Sequence, residues 1–278
     1  MSGYNSPGVS CTFPSTGVLL IELNRAPVNA FNTQLWLSVK SAFDQASEDP
    51  EVRCVVFGSK LDKGFTAGLD LMESNLNDKG SDPARTALLM KPYIKLLQDS
   101  VSAIQNCSKP VVAATYGICL GAGIDLISAC DVRYCSEKTL FSIKEVDIGL
   151  AADVGSLQRL PKITSNASLL YDLALTARNF GPDEAVKLGL VSKVVGGGRG
   201  EVTKEALKLA ELIASKSPIA TLSTKHLLNY SREHSVQEGL DYTTVWNMSM
   251  LQAEDIPLAF NAFSTKKPAK FPKLSSKL

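Results

Sequence analysis

The stretch Lys144-Glu-Val-Asp-Ile-Gly-Leu-Ala-Ala-Asp-Val-Gly155 contains two acids, Glu145 and Asp153, eight residues apart among small and apolar residues. A carboxylate in such surroundings is costly to bury unless it is paired, hydrogen-bonded or protonated. Acids placed this way are therefore candidates for proton transfer. The alternative is a structural role, in which Asp153 caps a helix over residues 154–160. The choice between the two depends on the rest of the chain.

The composition is that of a globular protein with a sizeable core. The chain has 278 residues, of which 45% are hydrophobic and 21% charged. A net charge of +1, from 29 basic and 28 acidic side chains, gives no electrostatic reason to expect a nucleic acid or an anionic membrane as partner. No apolar run is long enough to span a bilayer, and the polar first 14 residues argue against a secretory signal. We therefore expect no nucleic-acid partner and no membrane span.

Cysteine and histidine occur without the spacing of a metal site. The six cysteines are scattered and form no CxxC pair, and His226 and His234 lie eight residues apart in helical sequence. We therefore expect reduced thiols, no disulfide and no metal. The chain has no Walker A motif, no GxSxG elbow and no complete dinucleotide fingerprint, so no cofactor is expected either.

Apolar patterning predicts alternating strands and helices in the first half of the chain and mainly helices in the second. This order predicts an α/β core with a helical C-terminal region. We place the core at residues 1–200, the helical region at 201–265 and a tail at 266–278. The predicted strands cover 18–23, 52–57, 111–115, 132–135, 140–143 and 191–195, and the predicted helices cover 34–47, 84–106, 124–129, 165–176, 183–188, 202–215, 218–230 and 236–251.

Three segments together resemble the crotonase, or enoyl-CoA hydratase/isomerase, family. The first is Phe65-Thr-Ala-Gly-Leu-Asp-Leu71, the second runs from Pro110 to Leu126, and the third runs from Glu145 to Leu160. They follow the order of the family across residues 15–265, which is most of the chain. The resemblance implies a spiral of ββα units with a helical C-terminal region used in trimerisation. It also implies an acyl-CoA substrate, no separate cofactor and no metal.

The resemblance further implies an oxyanion hole for a thioester enolate. The backbone N–H groups of Ala67 and Ala122 match the positions that form this hole in the family, and preorganised donors stabilise the developing charge. Gly68, Leu69 and Asp70 complete the first segment along the expected substrate path. Two alternatives stay open: the glycines only make tight turns, and Asp70 caps a short helix.

Asp125, Glu145 and Asp153 look like the acid trio of the Δ3,5-Δ2,4-dienoyl-CoA isomerases within this family. Hydratases of the family typically carry glutamates at the first two positions and commonly glycine at the third. A 3,5-dienoyl thioester must lose a proton at C2 and gain one at C6, and two carboxyls can serve both carbons. We expect Asp153 to remove the C2 proton and protonated Glu145 to deliver one at C6, although the opposite polarity is possible. Asp125 either supports the pair or makes a structural hydrogen bond.

Two other functions are considered. The first is another crotonase chemistry, a 2-enoyl-CoA hydratase or a Δ3,Δ2-enoyl-CoA isomerase, because an acid pair can support several enolate reactions. The second is a non-catalytic acyl-CoA-binding protein.

The CoA phosphates need cations, for which Arg25, Lys60, Lys63 and Lys91 are candidates, and none of them is assigned to a particular phosphate.

The last three residues, Ser276-Lys277-Leu278, form the peroxisomal import tripeptide. We therefore expect a peroxisomal location and the peroxisomal import receptor as a partner; the alternative is a plain basic tail. We also expect a homo-trimer or homo-hexamer, because self-assembly would cover the apolar faces over residues 236–251 and 257–263.

Overall fold

The computed structural model describes residues 3–72 and 80–274. Within them the chain forms nine strands and ten α-helices, and one 3-10 helix (Glu145–Ile148) belongs to the site. The strands are β1 (Val9–Ser15), β2 (Val18–Leu23), β3 (Cys54–Ser59), β4 (Gly64–Thr66), β5 (Val111–Thr115), β6 (Ile118–Leu120), β7 (Val132–Ser136), β8 (Leu140–Ser142) and β9 (Lys193–Val195). The helices are α1 (Thr33–Glu48), α2 (Pro83–Asn106), α3 (Ala122–Ser128), α4 (Ser156–Ile163), α5 (Ala167–Thr176), α6 (Pro182–Leu188), α7 (Arg199–Ala214), α8 (Pro218–Ser231), α9 (Val236–Met250) and α10 (Asp255–Thr265).

The strands form two sheets, and the chain adds strands to one sheet and then the other in turn. The larger sheet has the order β1-β2-β3-β5-β7-β9 and the smaller one has the order β4-β6-β8. All pairs are parallel except β1 with β2. Each successive unit, β3-β4-α2 and then β5-β6-α3, adds one strand to each sheet and one helix outside them. This arrangement confirms the predicted spiral of ββα units.

The larger sheet is covered on both faces by apolar side chains. Leu19, Ile21 and Phe57 lie in the main core, which α1 and α2 complete. On the opposite face, α7 buries Val202 and Ala206 against the sheet. The two faces together explain why the central strands are apolar at nearly every position.

The domain boundary that the sequence predicted after residue 200 falls inside α7. This helix begins at Arg199 and belongs to the layer that covers the sheet. Its buried positions Val202, Ala206, Ala210 and Ala214 recur every four residues and are small, which lets the helix lie close to the strands. The periodicity predicted the helix, but it carries no information about the surface on which the helix packs.

Three strands were not predicted: β1, β4 and β6. The last two have three residues each. Segments this short carry no measurable alternation, so their pairing becomes visible only in three dimensions.

The C-terminal helices leave apolar side chains in solvent. In the part of the chain that the structure describes, no helix is long and apolar enough to cross a membrane. The tail follows α10, and its Phe271 carbonyl accepts a hydrogen bond from Arg53 Nη2 at 2.7 Å. The predicted import tripeptide lies outside the described residues. The exposed apolar residues on α9 and α10 include Val236, Leu240, Val245, Met248, Phe260 and Phe263.

Candidate active site

All three predicted acids and most of the predicted oxyanion segment line a single cavity of about 150 Å³. Four segments meet there: the loop after β4, the start of α3, the 3-10 helix and the irregular stretch before α4. Each of these segments follows a β-strand or the 3-10 helix, so the spiral itself brings them together. The predicted residues in the lining are Ala67, Gly68, Leu69, Ala122, Asp125, Glu145 and Asp153.

The structure corrects the assignment of Ala67 as an oxyanion donor. The Ala67 N–H donates to the Val28 carbonyl at 3.0 Å, so this group is already engaged within the protein. The next N–H, of Gly68, donates to Thr66 Oγ1 at 3.0 Å. Both bonds hold the loop after β4 in place and leave neither donor for a ligand.

Leu69 instead supplies the unengaged donor of this loop. It forms a parallel bridge with Phe31, in which Phe31 N–H donates to the Gly68 carbonyl and Asp70 N–H donates to the Phe31 carbonyl. This pattern directs the N–H of Leu69 itself away from the bridge. Among the described residues this N–H has no acceptor. The residue types of this segment contain no signal that favours Leu69 over Ala67.

The Ala122 N–H is the second unengaged donor. Ala122 is the first residue of α3, whose N-terminus has no side-chain cap, and within residues 3–72 and 80–274 its N–H has no acceptor. Gly68 lies next to it: a Cβ on Gly68 would be 3.6 Å from Ala122 N and 3.0 Å from the Leu120 carbonyl oxygen. With φ at +94°, this position favours glycine, which brings the two backbone segments together.

Asp125 is fully buried on α3. Its Oδ1 accepts the Ser156 N–H at 2.6 Å, and its Oδ2 has no partner among the described residues. Burial, and then the charge of Glu145, raise the pKa of Asp125 to about 7, although the Ser156 N–H and the positive Arg159 act against this rise. Asp125 therefore makes the structural hydrogen bond considered above and still presents a protonatable oxygen.

Glu145 opens the 3-10 helix and is only 9% exposed. Its Oε2 is buried, and no described residue bonds to it. Burial, followed by the charge of Asp153, raises the pKa of Glu145. The side chain also borders a second, mainly apolar cavity of about 460 Å³. These surroundings favour the neutral carboxylic acid at this position.

Asp153 does not cap a helix. The helix that follows begins at Ser156, its N-cap is Gly155, and no side chain caps it. Asp153 is exposed and lies between the active-site cavity and a polar cavity of about 390 Å³. Partial burial still raises its pKa.

Asp70, Arg25 and Asp147 do not line this cavity. Asp70 forms an ion pair with Arg25 at 2.8 Å and accepts the Met72 N–H at 3.1 Å. Asp147 is exposed and pairs with Lys144 at 2.6 Å. Of the candidate phosphate-binding cations, Arg25 is thus engaged with Asp70.

The apolar wall of the cavity was missed by the sequence reasoning. It comes from α1 and α2, through Trp36, Tyr93, Ile94 and Leu97. The spacing of Tyr93 and Leu97, four residues apart on one helical face, was the available signal. In the described part of the chain, no cluster of three or more His, Cys, Asp or Glu side chains is placed to hold a metal ion.

A protein-family model and several relatives of known name match most of this chain. The family model described as enoyl-CoA hydratase/isomerase matches residues 14–273. The mitochondrial Δ(3,5)-Δ(2,4)-dienoyl-CoA isomerase of Rattus norvegicus is 44% identical over 97% of this chain and 83% of its own length. The peroxisomal enzyme of the same name from Arabidopsis thaliana is 40% identical over 99% of both chains.

The fold is shared with solved structures. The crystal structure of an enoyl-CoA hydratase from Bacillus anthracis superposes with a TM-score of 0.85 and 26% identity, covering 95% of this chain and 99% of that one. The family model spans nearly the whole sequence, and the fold is the one that the resemblance implied. The chain is a member of the enoyl-CoA hydratase/isomerase family.

Proposed function

We propose that the chain is a Δ3,5-Δ2,4-dienoyl-CoA isomerase of fatty acid β-oxidation. The observation that carries this proposal is the meeting of three acids, Asp125, Glu145 and Asp153, with the free N–H groups of Leu69 and Ala122 in one cavity. The relatives of that name, with 40–44% identity over nearly the whole chain, support the same substrate class.

The two N–H groups act on the thioester oxygen. Removal of a proton from C2 turns the thioester carbonyl into an enolate, whose charge develops on this oxygen. The donors of Leu69 and Ala122 are fixed by the β4 loop and by α3, so they stabilise that charge without reorganising. Their contribution is electrostatic.

Asp153 and Glu145 move the protons. Asp153, ionised, takes a proton from C2; the electron pair shifts through the diene, and protonated Glu145 delivers its proton to C6. The double bonds thereby move from positions 3 and 5 to positions 2 and 4. The cycle leaves Asp153 protonated and Glu145 ionised, and proton exchange restores both. Asp125 is buried, and the charge of Glu145 raises its pKa, so the ionisation states of these two acids are coupled.

The direct test is turnover of a 3,5-dienoyl-CoA beside a plain 2-enoyl-CoA by the purified chain, followed by the ultraviolet absorbance of the 2,4-dienoyl product. Fast conversion of the first with weak hydration of the second supports the proposal. Fast hydration without a diene product would instead favour a hydratase, in which Asp125 and Glu145 hold a water. Binding of acyl-CoA without either reaction would favour the non-catalytic alternative.

The peroxisomal location is proposed separately. It is supported by Ser276-Lys277-Leu278 and by the peroxisomal relative of Arabidopsis thaliana, whereas the Rattus norvegicus relative is mitochondrial. A fluorescent protein fused before Met1 should collect in peroxisomes, and deletion of Leu278 should release it. Mitochondrial fluorescence would contradict this proposal.

A homo-trimer or homo-hexamer is proposed on the strength of the apolar side chains exposed on α9 and α10. Phe260 and Phe263 are 70% and 88% exposed in the single chain. A monomer would leave this apolar surface in water, which is unfavourable. Analytical ultracentrifugation tests the proposal, and a monomer at micromolar concentration would contradict it.

A further inference from the structure

The irregular stretch that carries Asp153, residues 149–155, is tied to helix α2 by two side chains. We call it the Asp153 segment. Gln98 Nε2 on α2 donates to the Asp153 carbonyl oxygen at 2.8 Å, and Arg159 Nη1 donates to the Val154 carbonyl oxygen at 3.4 Å. Both acceptors are backbone atoms. The Asp153 carboxylate is therefore fixed through its own main chain and stays available for chemistry.

Arg159 is itself held on α2 by two more hydrogen bonds. Its Nε donates to Gln105 Oε1 at 2.7 Å and its Nη2 donates to Ser102 Oγ at 3.0 Å. The planar guanidinium thus reaches three acceptors in three directions, which the single ammonium of a lysine cannot reproduce. It bridges α4, α2 and the Asp153 segment.

Glycine at position 155 makes this bridge possible. A Cβ at Gly155 would lie 1.7 Å from Arg159 Nη1, so the guanidinium rests directly on the backbone of the segment. The φ of Gly155 is +138°, which side-chain-bearing residues rarely adopt. Gly155 and Arg159 therefore depend on each other for their positions.

Packing alone does not fix the orientation of the segment. Val154 packs against the main core, but the Asp153 side is bordered by the polar cavity of about 390 Å³, which Gln98, Gln105 and Arg159 also line. A cavity of this size and polarity is large enough for water. Gln98 and Arg159 are the side chains whose hydrogen bonds hold this side of the segment on α2.

We propose that Arg159 and Gln98 are positioning residues for proton removal, holding the Asp153 segment on α2 at the depth at which its carboxylate reaches the substrate. This rests on the proposed function, because it gives Asp153 the role of base at C2. A displacement of about 1 Å at a reacting group can cost about 100-fold in rate. Loss of these contacts therefore lowers kcat, whereas the residues that line the substrate cavity stay in place and substrate binding changes little.

The test compares Arg159→Met, Arg159→Lys and Gln98→Leu with the full-length wild-type chain. We expect Arg159→Met to lower kcat for 3,5-dienoyl-CoA by about 10- to 100-fold with KM changed less than about threefold. Arg159→Lys keeps the positive charge near Asp125 but loses the planar guanidinium that reaches three acceptors, so it should remain as slow as Arg159→Met. Gln98→Leu, which removes one bond and no charge, should be slower than wild type by a smaller factor.

Arg232→Met is the matched control, because Arg232 lines the same polar cavity and makes no side-chain hydrogen bond to the Asp153 segment among the described residues. It should keep the wild-type kcat. Full kcat in both Arg159→Met and Gln98→Leu at a temperature where they are folded would overturn the proposal. Full recovery in Arg159→Lys would also overturn it, because charge alone would then explain the effect.

A second readout separates this proposal from the proposed function. A saturated acyl-CoA has no reacting C6, yet its C2 hydrogens exchange with D2O if a base reaches them. Arg159→Met should slow this exchange by the same factor as it slows isomerisation. If the wild type exchanges C2 but does not isomerise the diene, the proposed function fails while the positioning role is still measured. Unchanged exchange in Arg159→Met would contradict the positioning role itself.

Discussion

Glu145 and Asp153 carry the same functional group in one cavity but in opposite surroundings. Glu145 is buried between the active-site cavity and an apolar one, and its Oε2 has no partner among the described residues. Asp153 is exposed at a polar cavity, and Gln98 binds its main-chain carbonyl. Burial raises the pKa of both acids, and Glu145 is the more buried of the two.

This difference gives the proposed polarity its physical basis. An acid with an unsolvated oxygen favours its neutral form and is ready to donate a proton, whereas an acid in contact with solvent ionises more easily and is ready to accept one. The proposed roles, Glu145 as donor and Asp153 as base, agree with these surroundings. The experiments below are arranged from the largest expected effect to the smallest.

Removing either titrating group should nearly abolish catalysis. We expect Glu145→Gln and Asp153→Asn each to lower kcat for 3,5-dienoyl-CoA by about 10²- to 10⁴-fold, the usual contribution of general acid–base catalysis. Spectroscopic titration with the 2,4-dienoyl product should show binding close to that of the wild type.

The control for this pair is Asp147→Asn. Asp147 lies two residues from Glu145, is exposed, pairs with Lys144 and does not itself line the cavity. Its activity should equal that of the wild type. An Asp153→Asn variant with wild-type kcat would contradict the two-acid mechanism.

The buried side of the site should also affect stability through Asp125. The pKa of Asp125 is raised from 3.8 to about 7, so folding favours its protonated form. Below about pH 4 this carboxyl is protonated in both the folded and the unfolded state. As the pH rises toward 7, the unfolded state ionises first and the folded state loses stability, by about 4 kcal/mol at 1.36 kcal/mol per pKa unit.

Asp125→Asn keeps the acceptor for the Ser156 N–H and removes the titration. Denaturant titrations at pH 4 and pH 7.5 give the free energies of unfolding of both proteins. Relative to the wild type, Asp125→Asn should therefore be more stable at pH 7.5 than it is at pH 4. A difference that does not change with pH would mean that Asp125 is ionised in the folded protein.

The smallest effect is expected from a substitution that changes only the distance between the loop after β4 and the start of α3. Gly68→Ala puts a methyl group 3.0 Å from the Leu120 carbonyl oxygen and 3.6 Å from Ala122 N, and the positive φ adds strain of about 1–3 kcal/mol. We expect kcat/KM to fall by about 10-fold, because the two donor segments move apart. Gly200→Ala on α7, where a Cβ meets open space, should leave kcat/KM unchanged.

The sequence predicted the parts of this molecule that depend on local pattern. The strands over residues 18–23 and 111–115 and the long helix ending at Asn106 appear where apolar periodicity placed them. The three acids of the site could also be found, because the order of three short segments resembled a family. These features depend on residues that are close in sequence.

What the sequence missed depends on contacts between distant residues. Ala67 was assigned as a donor because the motif cannot reveal that its N–H already binds the Val28 carbonyl, 39 positions earlier. The link from Gln98 to the Asp153 carbonyl spans 55 residues and involves a backbone atom, which leaves no mark in residue type. The packing of α7 on the sheet was missed for the same reason.

The central claim is that Asp153 serves C2 and Glu145 serves C6, and exchange of the C2 hydrogens of a saturated acyl-CoA in D2O tests it most directly. The account predicts that Asp153→Asn loses this exchange by at least about 100-fold, while Glu145→Gln keeps it within a few-fold of wild type and still fails to isomerise the diene. Exchange that is lost in Glu145→Gln and kept in Asp153→Asn would contradict the account and reverse the roles of the two acids.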